Sequence, residues 1–236
     1  MPGLPVFYSP GYVAAGHAFE TTRKAAWVAG SLAVSPVPGV SLEAPRPLDE
    51  AALGRVHEPA YVQAVRDGAP RELAESQGFS WDRELWRAVC ASNGGAVAAA
   101  LRALAGRQNA GSLSSGLHHA RAGRGDGSCT FNGLALAARA ALDAGARAVL
   151  LVDLDAHFGG GTHALLRSDP RIHHLDVSVD PYDAYAGERR WLVDFIDDAR
   201  DYLPSIERGL DRLLACPDLD LCLYNAGMDP FEGCPE

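Results

Sequence analysis

Ala148-Val149-Leu150-Leu151-Val152-Asp153 is an unbroken apolar run that ends on a carboxylate. A short run without polar alternation, bounded by turn residues, fits a strand buried on both faces, as in a parallel sheet. Just ahead of it, an alanine-rich helix is predicted over 134–144, with Gly145 as its stop. Downstream, Gly159-Gly160-Gly161 leads into a short helix. Further strands are predicted over 172–179 and 219–226. Between them, 191–214 predicts at least one amphipathic helix, interrupted near Pro204. Upstream, 81–105 reads as a long helix in which Trp86, Val89, Val97 and Leu101 recur near helical spacing. Gly94-Gly95 costs that helix propensity, so the pair is expected to admit another element closely. A further helix is expected over 21–34. Strands alternating with helices predict an α/β fold, a mainly parallel sheet flanked by helices. A chain of 236 residues fits a single domain, 1–236.

Composition narrows the function classes. The formal net charge is −9. Such a chain has no basic footprint for phosphates, so a nucleic-acid partner is not expected. Its charge suits solubility and cationic ligands. No apolar run looks long enough to span a bilayer, so no membrane partner is expected. Residues 1–20 lack a basic start and an apolar core, so no secretory leader is expected. Cys90, Cys129, Cys216, Cys222 and Cys234 are dispersed without CxxC spacing, which argues against a disulfide framework and for the reducing cytoplasm.

Three polar clusters do not fit a core. After the apolar run comes Leu154-Asp155-Ala156-His157. Residues two apart in extended chain point to one side, so Asp155 and His157 can converge on a metal ion. Ligands in open α/β sheets bind beyond the carboxyl ends of strands, where this pair sits. The second cluster is His118-His119, in a glycine-rich loop followed by Gly127-Ser128-Cys129-Thr130-Phe131-Asn132. A histidine pair beside a metal can supply acid–base chemistry. The third is Asn225-Ala226-Gly227-Met228-Asp229-Pro230 after the last predicted strand. Asp155, His157 and Asp229 together make the three-ligand pattern of a catalytic metal site, and mixed oxygen and imidazole donors suit zinc, with Fe2+, Co2+ or Mn2+ as alternatives.

These motifs resemble those of the histone deacetylase, acetylpolyamine amidohydrolase and acetoin-utilisation family. The resemblance runs from about His17 to Asp229. It rests on Gly-Leu-His-His-Ala at 116–120, Gly-x-Cys-x-x-Asn at 127–132, Asp-Leu-Asp-Ala-His at 153–157 and Asn-Ala-Gly-Met-Asp-Pro at 225–230. The segment Val56-His57-Glu58-Pro59-x-Tyr61-Val62 adds a landmark. The resemblance implies an arginase-like α/β fold and metal-dependent hydrolysis of an N-acetylated amine such as acetyl-lysine, an acetylpolyamine or a small N-acetyl compound. It implies that Asp155, His157 and Asp229 bind zinc, that His119 is the general base, and that His118 is its electrostatic or acid partner, oriented by Asp153. Gly127, Ser128 and Tyr185 would line the substrate channel. His17 would neighbour the active site. A monovalent-cation (K+) site near Asp153, to which Asp176 contributes, is a further implication, and oligomerisation is left open.

Four departures from the family pattern are visible. The sequence stops at Glu236 before any Gly-Gly-Tyr segment, whose tyrosine would assist the oxyanion, so a catalytically impaired binding protein or a fragment is the alternative reading. Gly160 occupies the position of the Asp or Asn that orients the general-base histidine. Phe158 replaces a second histidine. Ser128 stands where a channel aromatic is common, which predicts a wider or more polar channel. A two-manganese ureohydrolase would need a further carboxylate at 159, where the chain has glycine.

Overall fold

The computed structural model describes residues 3–15, 23–216, 218–231 and 233–234. The start of the helix expected over 21–34 lies outside these residues, as does His17. In chain order the elements are β1 (Leu4–Phe7), α1 (Lys24–Val34), β2 (Val40–Glu43), α2 (Glu50–Leu53), α3 (Pro59–Asp67), α4 (Arg71–Ala74), α5 (Arg83–Gly106), β3 (Gly111–Ser112) and α6 (Gly133–Asp143). They continue with β4 (Ala148–Asp153), α7 (Gly160–Leu166), β5 (Ile172–Ser178), β6 (Trp191–Phe195), α8 (Ala199–Leu214) and β7 (Leu219–Asn225).

The expected parallel sheet is present in two hydrogen-bonded pieces, β2-β1-β3 and β6-β5-β4-β7, with every strand pair parallel. β4 lies between β5 and β7, and all six of its residues are buried. Val149 and Leu151 face a core shared with α6, Leu142 and Trp191. Leu150 and Val152 face the opposite core, with Leu175, Val177 and Leu213. Burial on both faces is why the run shows no polar alternation. Each of these side chains contributes about 1.5–3 kcal/mol by leaving water.

Residues 191–214 hold the expected amphipathic helix and, ahead of it, a strand. Trp191–Phe195 is an edge strand, not part of a helix, and α8 runs unbroken through Pro204. The stripe Tyr202, Ile206, Leu210 and Leu213 packs on the core under β4 and β5 and carries the helix past the proline. α5 also corrects an expectation: at 24 residues it is long and apolar enough, by composition alone, to cross a membrane. Here it is a core helix that buries Leu85, Val89, Cys90 and Ala100.

The glycine pair in α5 does what its cost implied. A Cβ on Gly94 would overlap the carbonyl oxygen of Arg46, and one on Gly95 would overlap the hydroxyl of Tyr12. Alanine is better than glycine in a helix by about 1 kcal/mol. Against that, overpacking into fixed backbone costs roughly 1–3 kcal/mol or more. Gly94→Ala is therefore expected to lower the urea midpoint, and a rise would show that the close approach is not needed.

His57 is a structural histidine. Its ring is buried, Nδ1 lies 2.9 Å from the Arg121 carbonyl oxygen, and the Asn132 amide donates to Nε2 at 3.0 Å. Nδ1 therefore carries the hydrogen, and the ring is neutral. Burial pushes its pKa down to about 4, although the backbone carbonyls of Arg121 and Ala122 oppose the shift. Between about pH 6.5 and 4 the unfolded chain binds a proton that the folded chain does not, so stability falls as pH falls through that window. The loss amounts to about 3 kcal/mol at most. Urea titrations of the wild type and His57→Gln over this range should show a shallower acid slope in the variant.

Candidate active site

The register of the larger sheet aligns three polar residues at its carboxyl edge: Asp153 of β4 pairs with Asp176 of β5 and with Asn225 of β7. Asp153 is fully buried. Its Oδ1 accepts from Asn225 Nδ2 at 2.8 Å and from the Asp155 amide at 3.3 Å. Its Oδ2 lies 2.8 Å from His118 Nδ1. Burial opposes its charge, but the adjacent His118 overcomes this and holds the carboxyl below its usual range.

Beyond β4 the chain carries Asp155 and His157 to one point, where the 226–229 segment after β7 brings Asp229. One candidate ligand atom from each residue lies within 4.8 Å of the other two. His157 Nδ1 is 3.2 Å from Asp155 Oδ1 and 3.3 Å from Asp229 Oδ2. The backbone fixes both carboxylates: the His157 amide donates to Asp155 at 3.1 Å and the Ala156 amide to Asp229 at 3.0 Å. Gly227 permits the close approach, because a Cβ there would come within 2.6 Å of Asp155 Cα. Hydrogen bonds donated to Asp155 and Asp229 push the His157 pKa up to about 10, despite partial burial. The three residues offer two carboxylates and one imidazole to a single point, and such mixed oxygen and nitrogen donors fit a zinc-like ion.

The histidine pair stands beside this cluster. His118 and His119 are buried, and their Nε2 atoms are 3.1 Å apart. Asn132, the N-cap of α6, holds their turn by donating to the carbonyls of His118 (3.1 Å) and Ala120 (3.2 Å). The Thr162 amide of α7 donates a further hydrogen bond to the His118 carbonyl at 2.9 Å. Burial disfavours a charged His118, but the Asp153 carboxylate more than offsets it and pushes the pKa up to about 9. Burial lowers the pKa of His119, the charge on His118 lowers it further, and Asp183 opposes both. A charged His118 and a neutral His119 thus stand side by side: His118 Nε2 also has Asp155 Oδ1 at 3.4 Å, and His119 Nδ1 lies 3.0 Å from Asp183 Oδ2.

Three features beside these groups were not legible in the sequence. Asp183 and Arg121 form an ion pair beside His119, and Asn225 holds Asp153. The ring of Tyr182 stands edge-on to His119 at 5.0 Å and to His157 at 6.0 Å. Tyr185, expected in the channel wall, does not line the groove. Its ring stacks on His163 at 4.2 Å, and its hydroxyl donates to Asp176 at 2.8 Å. The groove wall is Tyr182 instead, with Gly127 and Ser128 beside it. Gly127 has φ 47°, and a Cβ on it would come within 2.6 Å of His119 Cδ2. Phe158 turns away from the groove and packs near Tyr185 and Phe195. The groove encloses about 1500 Å³ and runs from Asp155, His157 and Asp229 past β7 and β3 to Lys24 and Trp27. Asp176 keeps one buried oxygen, Oδ1, without a partner. Burial and the neighbouring Asp153 push its pKa up to about 8.

Comparison with known proteins places this geometry. The family model of the histone deacetylase domain matches residues 17–191. An uncharacterized protein of Picosynechococcus sp. is 31% identical over 240 residues, covering 98% of this chain and 79% of that protein. Histone deacetylase 2 of Arabidopsis thaliana is 32% identical over 132 residues, 52% of this chain and 34% of that protein. The acetoin utilization protein AcuC of Bacillus subtilis is 32% identical over 143 residues, 56% of this chain and 37% of that protein. The crystal structure of the HDA15 HD domain superposes with a TM-score of 0.84 at 23% identity, covering 100% of this chain and 75% of that one, and so has the same fold.

Proposed function

The chain belongs to the histone deacetylase domain family, and from that premise we propose that it is a zinc-dependent amidohydrolase that removes an acetyl group from an N-acetylated amine. The observation that carries this reading is the convergence of Asp155, His157 and Asp229 beside the buried His118–His119 pair. Bound by those three residues, zinc would polarise the acetamide carbonyl and acidify water, and Fe2+, Co2+ or Mn2+ would supply the same chemistry.

The chain's own residues supply the proton path. His119 is neutral, with Nδ1–H directed at Asp183, so its Nε2 lone pair accepts the proton of the attacking water. Oxygen from that water bonds to the acetyl carbon, the C–N bond breaks, and the amine leaves with a proton. His118, charged and held by Asp153, sets the field around Nε2 and stabilises negative charge developing on the acetyl oxygen. The groove beside Gly127, Ser128 and Tyr182 receives the amine. The formal charge of −9 favours cationic amines, so acetyl-lysine peptides and acetylpolyamines are the first candidates and small N-acetyl compounds the next. The orphaned Asp176 oxygen supports a K+ site behind Asp153. A single catalytic unit in the cytoplasm completes the reading.

Metal analysis of the purified protein, with turnover of an acetyl-lysine peptide, an acetylpolyamine and a small N-acetyl compound, tests it. About one metal ion per chain and turnover that chelator abolishes are expected. Turnover that survives complete metal removal would sink the proposal. Metal with no turnover, and saturable binding of the acetylated peptide, would move the assignment to a binding protein.

A further inference from the structure

We propose that Asp183 is the positioning residue of His119, contributed by the loop after β5 in place of a carboxylate at position 160. The inference deepens the reading above, since it rests on His119 as the proton acceptor. Four observations converge. First, the Asp183 side chain is 6% exposed, and its Oδ2 is 3.0 Å from His119 Nδ1. A carboxylate there only accepts, so Nδ1 carries the hydrogen and the lone pair is on Nε2, the atom beside His118 Nε2.

Second, the carboxylate is itself held. The guanidinium of Arg121 bonds its other oxygen and also donates to the Gly160 carbonyl at 3.2 Å. The Gly161 amide donates to Oδ2 at 3.2 Å. Charge-assisted bonds of this kind fix a carboxylate's orientation as well as its charge.

Third, Asp183 adopts φ 58°. That left-handed conformation is uncommon outside glycine, though Asp is among the residues that tolerate it, and such strain concentrates at functional sites. The Phe158 amide holds the turn through the Tyr182 carbonyl at 3.1 Å.

Fourth, a Cβ on Gly160 would overlap the carbonyl oxygen and the carboxylate of Asp183. Any side chain at 160 and this placement of Asp183 therefore exclude each other. The glycine that looks like a lost carboxylate in the sequence is the space into which a carboxylate from another loop fits. The sequence conceals the exchange because it separates Asp183 from His119 by 64 positions.

The test compares wild type, Asp183→Ala and Asp183→Asn as full chains. Removing an outer carboxylate typically costs about 10- to 100-fold. For Asp183→Ala we expect kcat on the acetyl-lysine peptide to fall by about that factor, with KM within about twofold and bound metal unchanged. Asp183→Asn keeps the shape and an acceptor oxygen, so it should recover part of kcat. Nitrogen-15 histidine NMR reads the bond without turnover: the His119 Nδ1 proton, assigned with His119→Gln, should be hydrogen-bonded in wild type and lost in Asp183→Ala. A folded Asp183→Ala with wild-type kcat, or an unchanged Nδ1 proton, overturns the proposal. If wild type does not turn over, the deacetylase reading fails while the NMR arm still decides the role of Asp183.

Discussion

Asp155→Ala is expected to retain its fold, lose its metal and show no turnover above a metal-free control. The residue supplies one of three convergent donors, and its Oδ1 also lies 3.4 Å from His118 Nε2. Losing a ligand leaves two, fewer than the three protein donors of a catalytic zinc site. Lewis-acid stabilisation of the developing oxyanion is worth several kcal/mol, and each 1.36 kcal/mol is tenfold in rate, so the fall in kcat should be about a thousandfold or more. The folded state should survive, because the Asp155 side chain is 21% exposed and stands among like charges. Removing it loses the bonds to His157 but relieves repulsion with Asp153. Thermal melts separate the two effects. Adding zinc should raise the melting temperature of the wild type by mass action, and should not raise that of the variant. A variant that keeps stoichiometric zinc would remove Asp155 from the ligand set.

The parts of this site that were legible in the sequence are those built within one short segment. Asp153, Asp155 and His157 follow one another off β4, so the two-residue period of extended chain placed them before any tertiary contact was known. β4 itself was legible because both of its faces are covered, which removes polar alternation. Gly94 and Gly95 announced a close approach, although not that Arg46 and Tyr12 would be the neighbours. What stayed hidden depends on loops that return from a distance. Tyr185 was expected in the channel, yet the turn at Asp183, with φ 58°, presents Tyr182 to the groove and sends Tyr185 under the sheet. The split into two sheets was equally hidden, since strand registry across the β3–β7 groove leaves no local mark. Trp191–Phe195 was not legible as a strand because an edge strand with one fully buried residue, Trp191, has too weak a pattern to stand out from the amphipathic helix after it.

Asp153→Ala should be the most destabilising single change at the site, by roughly 3–5 kcal/mol in urea titration at pH 7. The magnitude follows from what the change strands. His118 is fully buried and charged, with a pKa of about 9 because Asp153 outweighs the burial that disfavours its charge. Without that carboxylate the imidazolium cannot persist, and giving up its proton at pH 7 costs about 3 kcal/mol. Asn225 Nδ2 and the Asp155 amide also lose their acceptor, which costs a further 1–2 kcal/mol or so. Asp153→Asn separates the roles. The amide preserves volume and an acceptor oxygen, so the 1–2 kcal/mol or so attached to the lost acceptor should return. It cannot hold the charge on His118, and kcat should stay about a hundred- to ten-thousandfold down, the range general acid–base catalysis contributes. An Asn variant with wild-type kcat would show that His118 works uncharged and that Asp153 serves the fold alone.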